Sequence, residues 1–280
     1  MKIKPLWLYV IFLIAAVLAA RWHAAPLPEN ATVRVHFIDV TYGDAILVEL
    51  PNSSTMLIDA GTREHADKLT DYLSTRNINH IDTAIITHPH DDHFGGFFSL
   101  VGHMPIKRIF INGDFRGHDG YAELIDAARQ SGIPVHRIHK GAQLTPGIPE
   151  DIAVKVLHPE RTIADSVNGD SMVIQLCHGK TSFLFTADIL PAQQDALITQ
   201  FGDTLRTVGC VKVPHHGGPL SEQFADFFAG ALMVICVGDN KWEAPPKEDL
   251  MKLQGTVLRT DHNGTVVVES DGKTLTLVAP

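Results

Sequence analysis

A segment in the first third of the chain places three histidines and two aspartates within six positions: His88-Pro89-His90-Asp91-Asp92-His93. Imidazole nitrogens and carboxylate oxygens are the ligands that Zn, Mn and Fe take in proteins. His88 and His90 stand two positions apart and can converge on one ion. Asp92 and His93 can turn toward a second ion nearby. Two-metal centres of this kind activate water and polarise a phosphoryl or acyl group, so the segment predicts a hydrolytic metal centre.

The residues on either side place this segment at the end of a strand. An apolar run over residues 81–86 precedes it, and a short helix is predicted over residues 97–101. The chain contains 16 histidines, and a histidine outside such a cluster is normally an ordinary core or surface residue. The spacing at a strand-to-helix junction, rather than histidine content, therefore carries the prediction.

Composition limits the classes of function. The chain has 280 residues, with 23 Lys and Arg against 32 Asp and Glu, a formal net charge of −9. Broad binding to nucleic-acid phosphates requires a surface rich in Lys and Arg, so the balance argues against such a surface and favours a small substrate. Cys177, Cys210 and Cys236 are odd in number and widely spaced, which indicates neither a disulfide framework nor a cysteine zinc site.

The N-terminus has the composition of a targeting segment. Lys2 and Lys4 precede an apolar stretch, residues 6–20, whose length fits a signal peptide and is short for a transmembrane helix. We interpret residues 1–25 as a signal peptide or a membrane anchor, followed by a linker over residues 26–32. Positive charges before an apolar stretch stay on the cytoplasmic side. The rest of the chain is therefore expected to be extracytoplasmic, with the cytoplasmic membrane as a partner if the anchor is retained.

Strands and helices alternate through residues 33–280 in a pattern that indicates one domain. Paired strands come first, then alternating strands and helices, then two closing strands. The predicted elements include strands at 32–39, 44–50 and 55–60 and helices at 63–77, 120–131 and 191–200. This order is typical of two sheets packed face to face with helices outside. We predict an α/β (α+β) fold, an αββα sandwich.

Further polar residues stand next to predicted strands. Asp170 lies just before one strand, and Asp188 follows an apolar strand, where an acid can bridge two cations. His215 and His216 close another strand. Ligands gathered at one rim of a sheet are what a metal site in this architecture requires.

With these motifs, the sequence resembles the metallo-β-lactamase-fold hydrolase superfamily. Within it, the chain is similar to the branch typified by the extracytoplasmic hydrolase domain of ComEC-type DNA-uptake proteins. The resemblance extends from about residue 33 to 270, and its motifs are residues 37–45, 57–61, 88–96, 185–188, 212–217 and 259–265.

The resemblance implies a ligand for each metal position. His88 and His90 correspond to ligands of the first metal, and Asp92 and His93 to ligands of the second. Asp188 corresponds to the carboxylate that bridges the two ions. The implied cofactors are two divalent metal ions, Zn or Mn.

The remaining ligand positions are less regular. The pair His215-His216 corresponds to the final ligand, with neither histidine preferred. Asp170 stands near the place where the superfamily usually supplies another histidine to the first metal, and an oxygen ligand there favours Mn or Mg over Zn. Asp59 is either the acceptor of a hydrogen bond from a ligand histidine or the cap of a strand end. Asp44 is interpreted as a loop-organising residue.

The catalytic roles follow from this ligand set. Asp92 is expected to orient the attacking water and take its proton. Whichever of His215 and His216 does not coordinate metal is expected to protonate the leaving oxygen. The first hypothesis is a phosphodiesterase or nuclease that uses a metal-activated water. The alternatives are a hydrolase of a non-nucleic ester, lactone or phosphocholine substrate, and a non-catalytic, metal-stabilised binding module in DNA uptake.

Overall fold

The computed structural model describes residues 32–116, 119–163, 166–239 and 244–278. The predicted signal or anchor segment and all but the last residue of the predicted linker lie outside these ranges. Within them, no helix is both long enough and apolar enough to cross a membrane. From Thr32 onward the chain forms one unit.

Two sheets account for the strands of the described ranges. The strands are β1 (Val33–Phe37), β2 (Ile46–Glu49), β3 (Thr55–Ile58), β4 (Thr83–Ile86), β5 (Ile109–Ile111), β6 (Val135–Arg137), β7 (Gln143–Leu144), β8 (Ile152–His158), β9 (Val173–His178), β10 (Thr181–Phe185), β11 (Val208–Lys212), β12 (Leu232–Ile235), β13 (Val257–Arg259), β14 (Val266–Ser270) and β15 (Leu275–Val278). The first sheet has the order β15-β14-β1-β2-β3-β4-β5-β6, and the second has the order β13-β12-β11-β10-β9-β8-β7.

Each sheet combines an antiparallel part with a parallel part. Strands β3 to β6 run parallel in the first sheet, and β10 to β13 run parallel in the second. Parallel neighbours need crossover connections, which are usually helices. The helices are α1 (Ala66–Thr75), α2 (Asp91–Phe94), α3 (Gly120–Gln130), α4 (Pro191–Leu205), α5 (Glu222–Phe227), α6 (Lys247–Leu250) and α7 (Thr260–Asn263), with 3₁₀ turns at Gly95–Ser99 and Pro214–Gly217.

Apolar side chains fill three layers, one between the sheets and one under each set of helices. Phe37 and Phe185 meet between the sheets with ring centroids 6.3 Å apart. Leu69 of α1 packs in the layer outside the first sheet. Leu197 of α4 and Phe224 of α5 pack in the layer outside the second sheet. Burial of these three layers is the main stabilising term, and the predicted αββα sandwich is confirmed.

Helix ends differ from the sequence prediction by a few residues. The helix predicted over 63–77 begins only at Ala66. The hydroxyl oxygen of Thr62 accepts the backbone N–H of His65 at 3.3 Å, so the residues before Ala66 form a separate turn. The helix predicted over 191–200 continues to the end of α4 because its apolar face extends further along the second sheet. The helix predicted over residues 97–101 is instead a 3₁₀ turn over Gly95–Ser99.

Candidate metal centre

Most of the polar residues identified in the sequence lie in segments that directly follow parallel strands. The histidine-aspartate segment follows β4, Asp188 follows β10, and His215-His216 follows β11. Strands β10 and β11 are parallel neighbours, so the loops after them lie at one edge of the sheet. Ligand sites in α/β folds form at the carboxyl ends of such strands. The two sheets therefore bring distant segments together here.

Asp92, His93, Asp188 and His216 form the centre of the cluster, and one ligand atom from each lies within 4.8 Å of the others. His93 Nε2 is 3.2 Å from Asp188 Oδ2. His216 Nε2 is 3.0 Å from Asp92 Oδ2 and 3.5 Å from Asp188 Oδ2. Two carboxylates and two imidazoles thus point at one volume.

His88 and His90 form a second group beside it. Their ring nitrogens Nε2 and Nδ1 face each other at 3.1 Å. His88 Nε2 is also 3.8 Å from Asp188 Oδ2. The same oxygen of Asp188 therefore lies between this pair and the histidines of the larger group, which is the arrangement expected of a bridging carboxylate.

The structure separates the roles of His215 and His216. Both have positive φ, 49° and 54°, a conformation that persists only where surrounding contacts hold it. His216 is buried, and its Nδ1–H donates to the carbonyl of Cys236 at 2.9 Å, which leaves Nε2 for the cluster. The side chain of His215 is 31% exposed, and its Nε2 is 3.9 Å from Asp188 Oδ2. His216 belongs to the cluster, and His215 lies at its rim.

Asp59 fixes which nitrogen of His93 faces the cluster. Its Oδ2 accepts the Nδ1–H of His93 at 2.8 Å and the hydroxyl of Thr87 at 2.7 Å. The same hydroxyl oxygen lies 3.0 Å from His88 Nδ1 and accepts its N–H. Asp59 also accepts the backbone N–H of Thr87 at 2.8 Å at the end of β4. Asp59 therefore fills both of the alternative roles considered from the sequence: it accepts a hydrogen bond from a histidine of the cluster, and it caps the end of β4. Through these contacts it orients histidines of both groups.

The electrostatics of the cluster match a site for positive charge. Burial opposes protonation of His93, but Asp188 and the neighbouring acids hold its pKa well above the usual range. His216 is likewise buried, yet Asp188 and Asp92 raise its pKa to about 10. Burial would raise the pKa of Asp188, and the surrounding cations instead hold it well below its usual range. The carboxylates stay ionised and attract cations.

These donors fit divalent metal ions. His93 Nε2 is buried and has no hydrogen-bond partner within the described ranges. His216 donates through Nδ1, so its Nε2 and the Asp92 oxygen are two acceptors facing each other unless a proton or a cation lies between them. His88 donates through Nδ1, so its Nε2 is also an acceptor, and it lies 3.1 Å from His90 Nδ1. Imidazole and carboxylate at such separations are a donor set for Zn or Mn.

Lys212 and Asp44 belong to the site and were missed as functional residues in the sequence. Lys212 is fully buried, and its Nζ is 2.6 Å from Asp44 Oδ2 and 3.4 Å from Asp188 Oδ1. Burial lowers the pKa of Lys212, but Asp44 and Asp188 more than offset this and raise it. Asp44, interpreted above as a loop-organising residue, is therefore also the ion-pair partner of this lysine. A lysine inside an otherwise apolar strand was the available sequence signal.

Asp170 lies beside the cluster but outside its two groups. Its carboxylate Oδ2 accepts a hydrogen bond from Arg116 Nη2 at 2.8 Å, and its backbone carbonyl accepts one from Asn112 at 3.0 Å. In the part of the chain described, the close His and Asp groups do not include it. Metal ligation by Asp170 stays a prediction.

Known proteins resemble this chain in sequence and in fold. The family model of the metallo-β-lactamase superfamily matches residues 38–223, which include every residue of the cluster. Among curated proteins, ComE operon protein 3 of Bacillus subtilis (strain 168) is 28% identical over 255 residues, and competence protein ComA of Neisseria gonorrhoeae is 26% identical over 265 residues. These alignments cover 83% and 92% of this chain but 32% and 35% of the relatives. The chain thus spans about a third of their length.

Solved structures show the same fold at low identity. Tm1679, described as a metal-dependent hydrolase of the β-lactamase superfamily, is 13% identical with a TM-score of 0.55, over 89% of this chain and 100% of that chain. A diphosphatase from the PhnP family is 12% identical with a TM-score of 0.50, over 88% of this chain and 100% of that chain. The chain therefore belongs to the metallo-β-lactamase superfamily, in the branch that contains the two competence proteins.

Proposed function

We propose that this superfamily hydrolase is a two-metal phosphodiesterase that cleaves nucleic acid. The observation that carries the proposal is the shared oxygen of Asp188. Its Oδ2 lies 3.8 Å from His88 Nε2 and 3.2 Å from His93 Nε2, and one carboxylate oxygen between two histidine groups supports a bridged pair of ions. Two divalent cations held there would lower the pKa of a water molecule and polarise a phosphoryl group.

Asp92 is the residue that would handle the attacking water. Its carboxylate is 19% exposed, whereas the side chains of His93 and Asp188 are buried. It therefore borders the space that a substrate would enter. The histidines around Asp92 hold its pKa below the usual range in spite of burial, so it is ionised at neutral pH. An ionised carboxylate at this edge can orient a water molecule and accept its proton.

His215 is the residue that would protonate the leaving oxygen. The amide of Asn168 donates to its Nε2 at 3.2 Å, which places the ring proton on Nδ1. That Nδ1 is buried and has no hydrogen-bond partner among the described residues, so its N–H is the donor of this ring that no described protein group uses. His216 already uses Nδ1 on the carbonyl of Cys236 and cannot play this part.

Two further points belong to the proposal. The oxygen donors of Asp92 and Asp188 beside imidazoles suit Mn as well as Zn. The apolar residues 6–20 would place the catalytic domain outside the cytoplasmic membrane, where the resemblance to ComEC-type DNA-uptake proteins favours DNA as the substrate.

The test uses the full chain in mild detergent, reconstituted with Mn or Zn. Metal content is counted by mass spectrometry, and cleavage is assayed on single-stranded DNA, double-stranded DNA and bis(p-nitrophenyl) phosphate. Asp92→Asn should lower turnover by about 10²-fold or more. Asp91→Asn is the matched control, because Asp91 lies outside the close metal group and should leave turnover unchanged.

The substrates separate the candidate functions. DNA cleavage that Asp92→Asn abolishes supports the nuclease. Turnover of the small diester alone supports a small-molecule phosphodiesterase, which the net charge of −9 favours. Turnover of nitrocefin or p-nitrophenyl phosphorylcholine, without DNA cleavage, would replace the proposal with an ester or lactone hydrolase. DNA binding without cleavage in any metal would make the domain a binding module.

A further inference from the structure

Phe115 is an exposed aromatic ring on a loop beside the metal centre. Half of its surface, 50%, is exposed, whereas Phe94, Phe97 and Tyr121 are buried. An isolated exposed apolar side chain is common and needs no explanation. The contacts that hold this loop in place make Phe115 different.

Buried polar side chains fix the loop around Phe115. Asn112 and Asp114 are buried, and the Oδ1 of Asn112 accepts the backbone N–H of Asp114 at 2.9 Å. Arg116 Nε donates to Asp114 Oδ1 at 2.9 Å, and its Nη2 donates to Asp170 Oδ2 at 2.8 Å. The hydrogen bonds on both sides of Phe115 restrain the backbone there, which lowers the entropy cost of ordering the ring on binding.

The same loop is connected to the metal-binding segment through its strand and through aromatic rings. Ile111 of β5 pairs with Ile86 of β4, so the two loops that follow start side by side. The ring of Phe115 lies 5.3 Å from that of Tyr121, which lies 5.1 Å from that of Phe94 in helix α2. Helix α2 also carries Asp92 and His93. Phe115 is therefore the exposed end of an aromatic row that begins beside the metal ligands.

We propose that Phe115 is a stacking platform for the bases of single-stranded nucleic acid beside the metal centre. The inference rests on the proposed function and names the form of its substrate. Every base offers a neutral π-face to an aromatic ring. In a duplex those faces are covered by neighbouring bases, so the platform selects unpaired strands.

The charge of the chain supports stacking over phosphate binding. With 23 basic and 32 acidic residues, the surface is poorly suited to gripping a phosphate backbone. Arg116, next to Phe115, is already paired with Asp114 and Asp170. Affinity for a nucleic-acid chain must then come mainly from bases, and binding should depend only weakly on salt.

The test measures binding and cleavage by the Mn-loaded full chain. A fluorescent phosphorothioate oligothymidylate of about 16 nucleotides is titrated by anisotropy, beside an oligonucleotide of equal length built from abasic sites. Phe115→Ala should raise the Kd for oligothymidylate about tenfold, the effect of losing one base stack. Phe115→Trp should restore or tighten binding. Leu277→Ala, at a residue of similar exposure (47%) on the edge strand β15, should leave binding unchanged.

The outcomes separate this inference from the proposed function. The abasic strand should bind wild type and Phe115→Ala equally weakly. In cleavage assays, Phe115→Ala should lower kcat/KM for single-stranded DNA about tenfold more than for bis(p-nitrophenyl) phosphate. Equal Kd values for wild type and Phe115→Ala, or a preference for duplex, would overturn the inference while leaving the phosphodiesterase intact. Binding that depends on Phe115 without cleavage would instead refute the nuclease and keep the platform.

Discussion

The ammonium group of Lys212 lies 3.4 Å from Oδ1 of Asp188, whereas His88, His93 and His216 contact the other oxygen of that carboxylate, Oδ2. Lys212 thus contacts one carboxylate oxygen of Asp188, and the other oxygen faces the histidines of the candidate metal centre. Asp44 Oδ2 also contacts Lys212 Nζ, at 2.6 Å. Asp188 is therefore oriented by a buried ion pair whose two members lie outside the group formed by Asp92, His93, Asp188 and His216.

Removing this lysine should destabilise the metal-free protein. Lys212→Met leaves the buried carboxylates of Asp44 and Asp188 without their shared cation, and breaking a buried pair in this way costs about 3–5 kcal/mol. Urea unfolding in the presence of a chelator measures the loss. The double variant Asp44→Asn/Lys212→Met should lose less than Lys212→Met alone, because it also removes one unpaired charge. Equal losses for the single and double variants would show that Asp44 is not the partner that matters.

The hydrogen bonds behind the histidines should control metal affinity. Asp59→Asn cannot accept the Nδ1–H of His93 as a carboxylate does, so the ring loses its fixed tautomer. The affinity for Mn should fall about 10–100-fold, measured by competition with a chromophoric chelator. Circular dichroism checks that the variant is folded.

Thr87 provides a matched pair for the same idea. Its hydroxyl connects His88 Nδ1 to Asp59, so Thr87→Val should weaken metal binding and Thr87→Ser should not. The contact between Asp59 and His93 survives in both variants, so the loss in Thr87→Val should be smaller than in Asp59→Asn. Wild-type affinity in both Thr87→Val and Asp59→Asn would contradict the role assigned to Asp59.

The two adjacent histidines should give opposite phenotypes. His216→Gln removes a nitrogen that lies 3.0 Å from Asp92, so the metal content should fall. His215→Gln should keep the metal content and lower turnover by about 10²–10⁴-fold, the usual weight of a general acid. Metal analysis and diester hydrolysis on the same preparations distinguish them. Metal loss in His215→Gln with full retention in His216→Gln would reverse the assignment.

Local spacing made much of the centre predictable. The candidate ligands between His88 and His93 are neighbours in the chain, and Asp188 stands out as an acid at the end of an apolar strand. Which of His215 and His216 enters the cluster was not predictable, because both end the same strand and only their left-handed backbone turns one ring inward. The three-layer packing followed from the alternation of strands and helices.

Contacts between remote segments were not predictable from spacing. Lys212 and Asp44 are far apart in the sequence and meet only because the two sheets pack face to face. The sequence around Lys212 does not indicate that its ion-pair partner is Asp44, and the sequence around Asp44 does not indicate Lys212. The start of α1 at Ala66 depends on a side-chain hydrogen bond of Thr62, which a periodic apolar pattern does not contain.

A separate ion-pair network on the first sheet should make stability depend on pH. Glu49 of β2 contacts His36 Nε2 at 2.8 Å and Arg76 Nη2 at 3.0 Å. His36, opposed by burial and assisted by Arg76, lowers the pKa of Glu49 to about 2. Because the pKa of Glu49 is lower in the folded state, its ionised carboxylate stabilises the fold at pH values above the unfolded pKa of about 4.3. This stabilisation is lost as the pH falls toward 2.

Glu49→Gln tests this dependence. At pH 7 the wild type should exceed the variant by about 1 kcal/mol in free energy of unfolding, since solvent screens a partly exposed pair. The difference should narrow below about pH 4 as the unfolded chain takes up a proton before the folded one. Urea unfolding from pH 7 to 3, with chelator present throughout, keeps metal release out of the comparison. A difference that stays constant across that range would show that the Glu49 carboxylate is not preferentially ionised in the folded state.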